Sequence, residues 1–311
     1  MRPRHFAAQL LVAAAAIFAA ELGLRHLSRN SVPRQVLREA AGSGATHVFF
    51  GNSLVAAGID PKAFEAARPG SRARNLGLGS SSPVEHYLIF RAARPAPGTT
   101  AFYGFFDTQV TDPPAAVGGG AELSGNQAMS YFTEPRLAAG YYYPGDPVRA
   151  WQMAAAGRAA FLTERFTVWA KVERLRRRLG AIGLPAEQGT RFGRVEDFAA
   201  LAEASPEAFA ERCRAASALA APLRDLLADA RAAGVRVVVV EMPMPAAHRA
   251  RFHASPEWRA YRASVAELVR GAGADVVSAS DWITDDHFAD ALHLAPSGAV
   301  ELSRRLAAAS P

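Results

Sequence analysis

The sequence predicts an α/β protein with a five-stranded parallel β-sheet covered by helices on both faces. Two observations predict this fold class. Short, mostly apolar runs rich in β-branched and aromatic residues recur along the chain, and helical stretches separate them. Strands that are apolar throughout are typical of a parallel sheet buried on both faces. The chain has 311 residues, half of them hydrophobic, which is enough to bury such a core.

The fourth expected strand is the clearest, because the run Val237–Val240 is entirely β-branched and is bounded by Gly234 and Pro243. The other expected strands are Thr46–Phe50, a short strand around Ala73–Leu76, Thr99–Phe106 and Ala274–Ser280.

A long stretch, roughly Val110–Ala233, separates the third and fourth strands. It opens with Pro and Gly and then becomes strongly helical. We expect its earlier part, about residues 110–215, to be an insertion over the edge of the sheet. An amphipathic helix within Pro206–Gly234 should form the crossover to the fourth strand. We interpret the arginine cluster within the insertion as a solvated helix face, with an anionic polymer or lipid as the alternative ligand; its members are Arg174, Arg176, Arg177 and Arg178.

The N-terminus predicts a membrane segment. A short basic head, MRPRH, precedes Phe6–Leu24, a nearly apolar run of 19 residues, and about 20 are needed to span a bilayer. No clean small-x-small cleavage site stands near Glu21, which favours an uncleaved signal anchor over a signal peptide. We therefore divide the chain into an anchor and linker start, residues 1–30, and an α/β domain, residues 31–311. Arginines flank the run on both sides, so the positive-inside rule does not place the domain outside the cytoplasm; they are Arg2, Arg4, Arg25, Arg29, Arg34 and Arg38.

Composition excludes several functions. The net charge is +6, but no basic stripe is interleaved with aromatic residues, which argues against nucleic acid as a partner. Cys213 is the only cysteine, so neither an internal disulfide nor a multi-cysteine metal site can form.

Ser53 is the first candidate for chemistry. It lies in the segment VFFGNSLVAAGID, just after the first strand and where a helix begins. Ligands of open parallel sheets bind beyond the carboxyl ends of the strands, and a helix N-terminus favours a developing oxyanion. Ser53 is therefore a candidate nucleophile; the alternative is that it only caps the helix.

A serine hydroxyl needs a base to take its proton. Asp290 and His293 lie three residues apart in the loop after the fifth strand, at the same edge of the sheet. In a tight loop this spacing lets the carboxylate orient the imidazole, as a catalytic triad requires. His287 stands beside Asp285 and Asp286, and we expect it to be a surface residue. With His293 these three could be drawn as metal ligands, but clustered acidic loop residues are usually solvated.

Three segments together resemble the SGNH (GDSL-like) hydrolase family: GNS after the first strand, NLGLGSSS after the second, and DALHL before the last helix. The chain looks closest to the membrane-anchored branch, which includes the alginate O-acetylation proteins and the D-alanyl-transfer protein of teichoic acid synthesis. The resemblance covers most of Thr46–Leu306, except for the helical insertion. It implies a flavodoxin-like three-layer α/β/α fold and no cofactor or metal.

The resemblance also implies roles for individual residues. Ser53 is the nucleophile, His293 the base and Asp290 its orienter. The backbone N–H groups of Ser53 and of Gly77 or Gly79 are the oxyanion donors. Further candidates for substrate binding are Asn52, Asn75, Asp107, Thr108 and Gln109, with the serines at 80–82 ranked lower.

The sequence departs from the family at two positions. Asn52 stands where the common form has Asp, and Phe106 stands at the Asn of the family's Gly-x-Asn motif. The usual side-chain oxyanion donor is therefore missing. Thr108 or Gln109 could donate in its place, whereas ionised Asp107 could not.

Two functions remain open. The first is a serine esterase or O-acyltransferase of the cell envelope, anchored in a bacterial inner membrane with its domain outside the cytoplasm. Its substrate would be an acylated polysaccharide or another envelope ester, with a membrane acyl-donor protein as a further partner. The second is a catalytically weak binding module of a polysaccharide modification or export complex, which Phe106 supports. A soluble cytoplasmic esterase conflicts with the apolar N-terminus.

Overall fold

We analysed a computed structural model that describes residues 3–42, 44–111, 126–164 and 205–310, together with two short strands at 189–190 and 193–194. The strands, in chain order, are β1 (His47–Phe50), β2 (Ala73–Asn75), β3 (Thr100–Phe105), β4 (Gly189–Thr190), β5 (Gly193–Arg194), β6 (Arg236–Glu241) and β7 (Asp275–Ser278). The arginine cluster of the predicted insertion, with its amphipathic helix, lies outside the described residues.

Five of these strands form one parallel sheet in the order β2-β1-β3-β6-β7. In its register His47 pairs with Ala73 on one side and with Thr100 on the other. The predicted α/β fold class is confirmed, and the five predicted strands are present with ends that differ by one or two residues. Strands β4 and β5 form a separate antiparallel pair.

The helices are α1 (Pro3–Ser28), α2 (Val32–Ala41), α3 (Ser53–Gly58), α4 (Pro61–Ala67), α5 (Pro83–Ala93), α6 (Met129–Phe132), α7 (Pro135–Tyr142), α8 (Pro147–Ala156), α9 (Ala160–Thr163), α10 (Pro206–Ala215), α11 (Ala221–Ala232), α12 (Ala246–His248), α13 (Pro256–Gly271) and α14 (Pro296–Ala309). Short 3₁₀ turns occupy Thr108–Val110 and Asp285–His287, and a π-helical turn occupies Arg249–His253.

The central strands β1, β3 and β6 are buried on both faces except at Arg236, which explains why they are mostly apolar, whereas the edge strands β2 and β7 carry exposed or partly exposed polar residues. Along β1, Val48 and Phe50 point into one core, which also contains side chains of α5, α11 and α13. Phe49 points into the opposite core, built with side chains of α3, α4 and α14. Successive strand residues face opposite sides of a sheet, so the structure has three layers, helices on sheet on helices.

One expectation about the crossover was wrong. We expected a single amphipathic helix within Pro206–Gly234, whereas the structure ends α10 at Ala215 and begins α11 at Ala221. Pro222 supplies the physical reason, because proline offers no N–H to a preceding turn and disfavours helical geometry in the residue before it. Helix α11 then packs against α5 and β6 as the crossover helix.

Helix α1 is exposed along most of its length. Within its segment Gln9–Ser28, which has a mean hydropathy of 1.6, an apolar stretch of 18 residues contains no buried residue, whereas Ser28 at the end of the helix is buried. By length and composition this helix could cross a bilayer. The proposed boundary at residue 30 and the extent of the insertion remain predictions.

Candidate active site

The candidate nucleophile is positioned by a tight turn at the end of β1. Gly51 has a φ of 151°, and a Cβ built on it would lie 2.4 Å from Cγ2 of Val55 and 3.0 Å from the carbonyl oxygen of Gly104. Only glycine fits this turn without displacing β3. Asn52 then caps α3, because its Oδ1 accepts the N–H of Leu54 at 3.0 Å. The alternative in which Ser53 merely caps the helix is therefore wrong.

The structure brings Ser53, His293 and Asp290 together. Oγ of Ser53 lies 2.9 Å from Nε2 of His293. On the other side of the ring, Nδ1 lies 3.0 Å from each carboxylate oxygen of Asp290. An ionised carboxylate only accepts hydrogen bonds, so Nδ1 carries the proton and Nε2 is left to accept the one from Ser53. Ser53 itself is half-buried and reachable from solvent.

The loop that carries the base is held by its own backbone. A bridge between Phe288 and Leu294 closes it, and Oδ1 of Asp290 accepts the N–H groups of Leu292 and His293 at 2.8 and 2.7 Å. The side chains of Asp290 and His293 are 0% and 2% exposed. Burial by itself would raise the pKa of the Asp290 carboxyl, but the hydrogen bonds from the imidazole and the two backbone N–H groups hold it below its usual value. Asp290 is therefore ionised at neutral pH.

The two candidate oxyanion glycines differ. The N–H of Gly77 donates to Oδ1 of Asn75 at 3.0 Å. Among the described residues, the N–H of Gly79 has no hydrogen-bond partner. The N–H of Ser53, at the first position of α3, has no acceptor within the helix. Gly79 and Ser53 thus offer donors, whereas the donor of Gly77 is already used.

Gly77 has a structural role instead. A Cβ on it would lie 2.4 Å from the backbone nitrogen and 2.8 Å from Cα of Ala56. The absence of a side chain is therefore what lets this loop approach α3. Nδ2 of Asn75 fastens the same contact by donating to the carbonyl oxygens of Val55 at 3.0 Å and Ile59 at 2.9 Å. The side-chain amide of Asn75 is fully engaged in hydrogen bonds with backbone groups, so Asn75 supports the loops of the site instead of facing a ligand.

Gln109, in the turn after β3, joins the loops that surround the candidate site. Oε1 of Gln109 accepts from Nδ2 of Asn52 at 3.2 Å, and its Nε2 donates to the carbonyl oxygen of Ser81 at 2.9 Å. Gln109 therefore ties together the loops after β1, β2 and β3. Oδ1 of Asp107 accepts the N–H of Gln109 at 3.0 Å and starts the 3₁₀ turn, while Thr108 is buried within that turn.

The serines after β2 serve the fold. Ser80 adopts a left-handed φ of 49°. Ser81 hydrogen-bonds to the carbonyl oxygen of Leu78 and, at 2.8 Å, to Nε2 of buried His86. Ser82 caps α5 in a reciprocal arrangement with Glu85.

Phe106 is partly buried against the core beneath α3 and α14, and its carbonyl oxygen accepts from Nε2 of His253 at 3.1 Å. Burial lowers the pKa of His253 to about 3, so its ring is neutral. The phenyl ring of Phe106 packs into the core, and its position offers no side-chain donor to the site.

A small cavity lies beside the loop of Asp290 and His293, and the sequence analysis did not predict it. Its volume is about 160 Å³, and its lining residues are Pro245, Ala247, His248, Arg251, Phe252, Ala291 and Leu292. These residues come from the segment of α12 with the π-helical turn after it and from the loop of Asp290 and His293, which are far apart in the chain, and no local motif marks either one.

The residues considered as metal ligands do not form a common coordination site. Asp285 accepts the N–H of Ala246 at 2.8 Å, and Nδ1 of His287 lies 2.9 Å from Oγ of Ser297. Within the described part of the chain there is no group of three or more His, Cys, Asp or Glu side chains that could hold a metal ion.

Comparison of the sequence with protein-family models and with curated proteins finds no match. Among solved structures, the chain is similar to one from Streptococcus pneumonia described as a "putative platelet activating factor". The two are 12% identical, with a TM-score of 0.39 and 97% of each chain covered. A likeness at this level carries no argument about activity, so the chain is assigned to no family and the SGNH resemblance stays a prediction.

Proposed function

We propose that the chain is a serine ester hydrolase or O-acyltransferase of the SGNH type. One observation carries the proposal: a half-buried serine at a helix N-terminus lies within hydrogen-bond distance of an imidazole that a buried carboxylate orients. This is the arrangement that makes a serine nucleophilic.

In the proposed reaction, Nε2 of His293 takes the Ser53 proton while Oγ attacks the acyl carbonyl carbon. The negative charge that develops on the carbonyl oxygen is met by the N–H groups of Ser53 and Gly79. The C–O bond to the leaving alcohol then breaks, and the imidazolium returns its proton to that oxygen. Asp290 stays ionised and stabilises the imidazolium throughout.

The acyl group now on Ser53 is transferred in the second half. Water or a sugar hydroxyl attacks the acyl carbon and loses its proton to His293; the bond between the acyl carbon and Oγ then breaks, and the imidazolium returns that proton to Oγ of Ser53. Hydrolysis and transfer differ only in this acceptor. We propose that the cavity receives the acyl group, because its lining residues Ala291 and Leu292 lie between Asp290 and His293 and its volume of about 160 Å³ has room for a short acyl chain. We propose that this acyl group is short, such as acetyl.

We further propose that α1 anchors the protein in a bacterial inner membrane with the domain outside the cytoplasm. The exposed apolar surface of α1 supports this proposal. The substrate would then be an acylated envelope polysaccharide, with a membrane protein as acyl donor in the case of transfer. An alkaline phosphatase fused after Leu306 should be active; a fusion active only as a cytoplasmic reporter would overturn this placement.

The covalent mechanism is tested with a fluorophosphonate probe on the full chain in non-ionic detergent. Wild type and Ser297→Ala, which removes an exposed serine outside the site, should be labelled equally. Folded Ser53→Ala should not be labelled. Labelling of folded Ser53→Ala would remove Ser53 as the nucleophile.

The second candidate is a binding module, favoured by Phe106 at the place of a side-chain donor. Loss of one such donor typically costs about 10²–10³ in rate. Three results with folded wild-type protein together would favour this second function. The fluorophosphonate probe would not label it, it would not hydrolyse acetylated polysaccharide, and it would still bind that polysaccharide.

A further inference from the structure

A basic cavity lies where α1 meets the rest of the protein. Its volume is about 550 Å³. Five arginines line it, together with apolar and small residues; the arginines are Arg25, Arg29, Arg34, Arg38 and Arg158. Four of them follow the apolar run, at the end of α1, in the turn after it and in α2, and Arg158 approaches from the segment between α8 and α9.

Two of the five charges are compensated. Nε of Arg34 lies 3.0 Å from a carboxylate oxygen of Glu164, whose side chain is 1% exposed, and its guanidinium stacks 4.0 Å from the Phe132 ring centroid. Arg25 pairs with Glu21 at 2.9 Å. These pairs fix the wall of the cavity.

The other three arginines have no carboxylate partner among the described residues. Arg38 donates to the carbonyl oxygen of Arg29 at 2.6 Å, a contact that leaves its charge uncompensated. The side chains of Arg29 and Arg158 are exposed and make no hydrogen bond or ion pair within the described part of the chain. The cavity thus concentrates positive charge.

The point at which α9 contacts α1 determines how far the cavity lies from the hydrocarbon layer of a membrane that α1 would span. Glu21 accepts the backbone N–H groups of Ala160 and Phe161 at 2.6 and 3.2 Å, which fastens the start of α9 to α1. Arg25 adds a hydrogen bond to the carbonyl oxygen of Arg158 at 2.7 Å. Glu21 lies seven residues before the end of the apolar helix at Ser28, which is about 10 Å along its axis at about 1.5 Å per residue. If α1 spans a bilayer, α9 therefore reaches the headgroup layer.

The surface around α9 has the composition of a membrane interface. Phe161 is 52% exposed and Leu162 38% on α9, and Trp151 is 69% exposed on α8. Exposed aromatic residues next to a membrane helix are typical of the interface between lipid and water. A basic cavity with an apolar rim matches a phosphate group attached to acyl chains.

We propose that the cavity binds the phosphate of an anionic phospholipid at the end of α1. Arginine holds phosphate oxygens through paired N–H donors, which makes Arg29, Arg38 and Arg158 suitable ligands. Phe161 and Leu162 would pack beside the acyl chains. Lipid binding would fix the domain against the membrane surface. This inference depends on α1 and α9, and it holds whether or not Ser53 is a nucleophile.

The test uses the full chain in non-ionic detergent with three probes: dioctanoyl phosphatidylglycerol, dioctanoyl phosphatidylcholine and inorganic phosphate. Binding is followed by the rise in melting temperature and by tryptophan fluorescence. Phosphatidylglycerol should bind at least tenfold more tightly than either other probe. Arg29→Gln/Arg158→Gln should weaken its binding about 30-fold, as expected from roughly 1 kcal/mol for each basic residue near an anionic headgroup.

The matched control is Arg259→Gln/Arg270→Gln, which removes two exposed arginines of α13 outside the cavity. It should bind phosphatidylglycerol like wild type. Arg38→Gln provides a second cavity variant should the first one melt abnormally without lipid. Equal binding of both phospholipids, equal loss in the control, or wild-type affinity in the cavity variants would overturn the proposal. Phosphate binding as tight as that of phosphatidylglycerol would assign the cavity to a free anion and overturn the lipid assignment.

Discussion

Replacing Asp290 with Asn should disable the site without disturbing the fold, because the amide would reverse the tautomer of His293. Oδ1 of Asp290 accepts two backbone N–H groups, so an amide oxygen will take that place. The NH₂ group must then occupy the position of Oδ2, 3.0 Å from Nδ1 of His293. Although Oδ1 is also 3.0 Å from Nδ1, an NH₂ donor at the place of Oδ2 opposes an N–H on Nδ1 and favours Nδ1 as an acceptor, which moves the ring proton to Nε2.

With its proton on Nε2, the imidazole faces Oγ of Ser53, 2.9 Å away, as a donor. It can no longer take the serine proton, so the chemical step loses its base. The corresponding change in a serine protease triad lowers kcat about 10⁴-fold, and we expect a loss of that order. The assay is turnover of p-nitrophenyl acetate by the full chain at pH 7 to 8, beside a thermal melt of each variant.

The control is Asp286→Asn, which changes an exposed carboxylate in the same loop and should leave turnover unchanged. A second readout does not depend on activity: ¹⁵N chemical shifts of the His293 ring should show protonated Nδ1 in wild type and protonated Nε2 in Asp290→Asn. Turnover within tenfold of wild type in the folded variant, or an unchanged tautomer, would refute the reasoning.

Three further predictions concern the same framework. Ser53→Ala and His293→Ala should each abolish turnover, and the double variant should be no worse than either, because the two side chains act as one unit; additive losses in kcat would contradict this. Gly77→Ala should lower the free energy of unfolding by roughly 3 kcal/mol, since its Cβ would lie 2.4 Å from backbone of α3, whereas Gly140→Ala, with open space around it, should be neutral or stabilising in urea titrations. His86 is fully buried, and burial lowers its pKa from 6.5 to about 3, so its contribution to stability is complete above pH 6.5 and is lost as the pH falls from there toward 3. Melts between pH 7 and 4 should show a slope of about 1.4 kcal/mol per pH unit from this group, and parallel profiles for wild type and His86→Gln would exclude it.

The central strands could be predicted from sequence because burial on both faces demands mostly apolar residues along them. Val237–Val240 is the clearest instance, and it lies at the centre of β6. The break between α10 and α11 was missed although Pro222 marks it, because the apolar periodicity continues across the break. The periodicity of apolar residues shows which face of a helix is buried, but it does not show whether the backbone forms one helix or two.

The candidate site shows a similar limit. The spacing of Asp290 and His293 could be recognised, since both lie in one loop. The bridge from Gln109 to Asn52 and Ser81 joins three loops, and no local pattern encodes it. Likewise, the sequence could not separate Gly77 from Gly79. Their difference lies in whether Asn75 has already taken the N–H.

The structure also changes the interpretation of the arginines after the apolar run. Counted as charges, they oppose translocation of the domain. In the structure, Arg34 neutralises the buried carboxylate of Glu164, and Arg25 pairs with Glu21 where α9 docks. Loss of Arg34 would remove the guanidinium that compensates the charge of this buried carboxylate, which is destabilising. These side chains are therefore required by the folded state on either side of a membrane. Arg25 and Arg34 are therefore not independent measures of orientation, because both would be kept in a domain that had been exported.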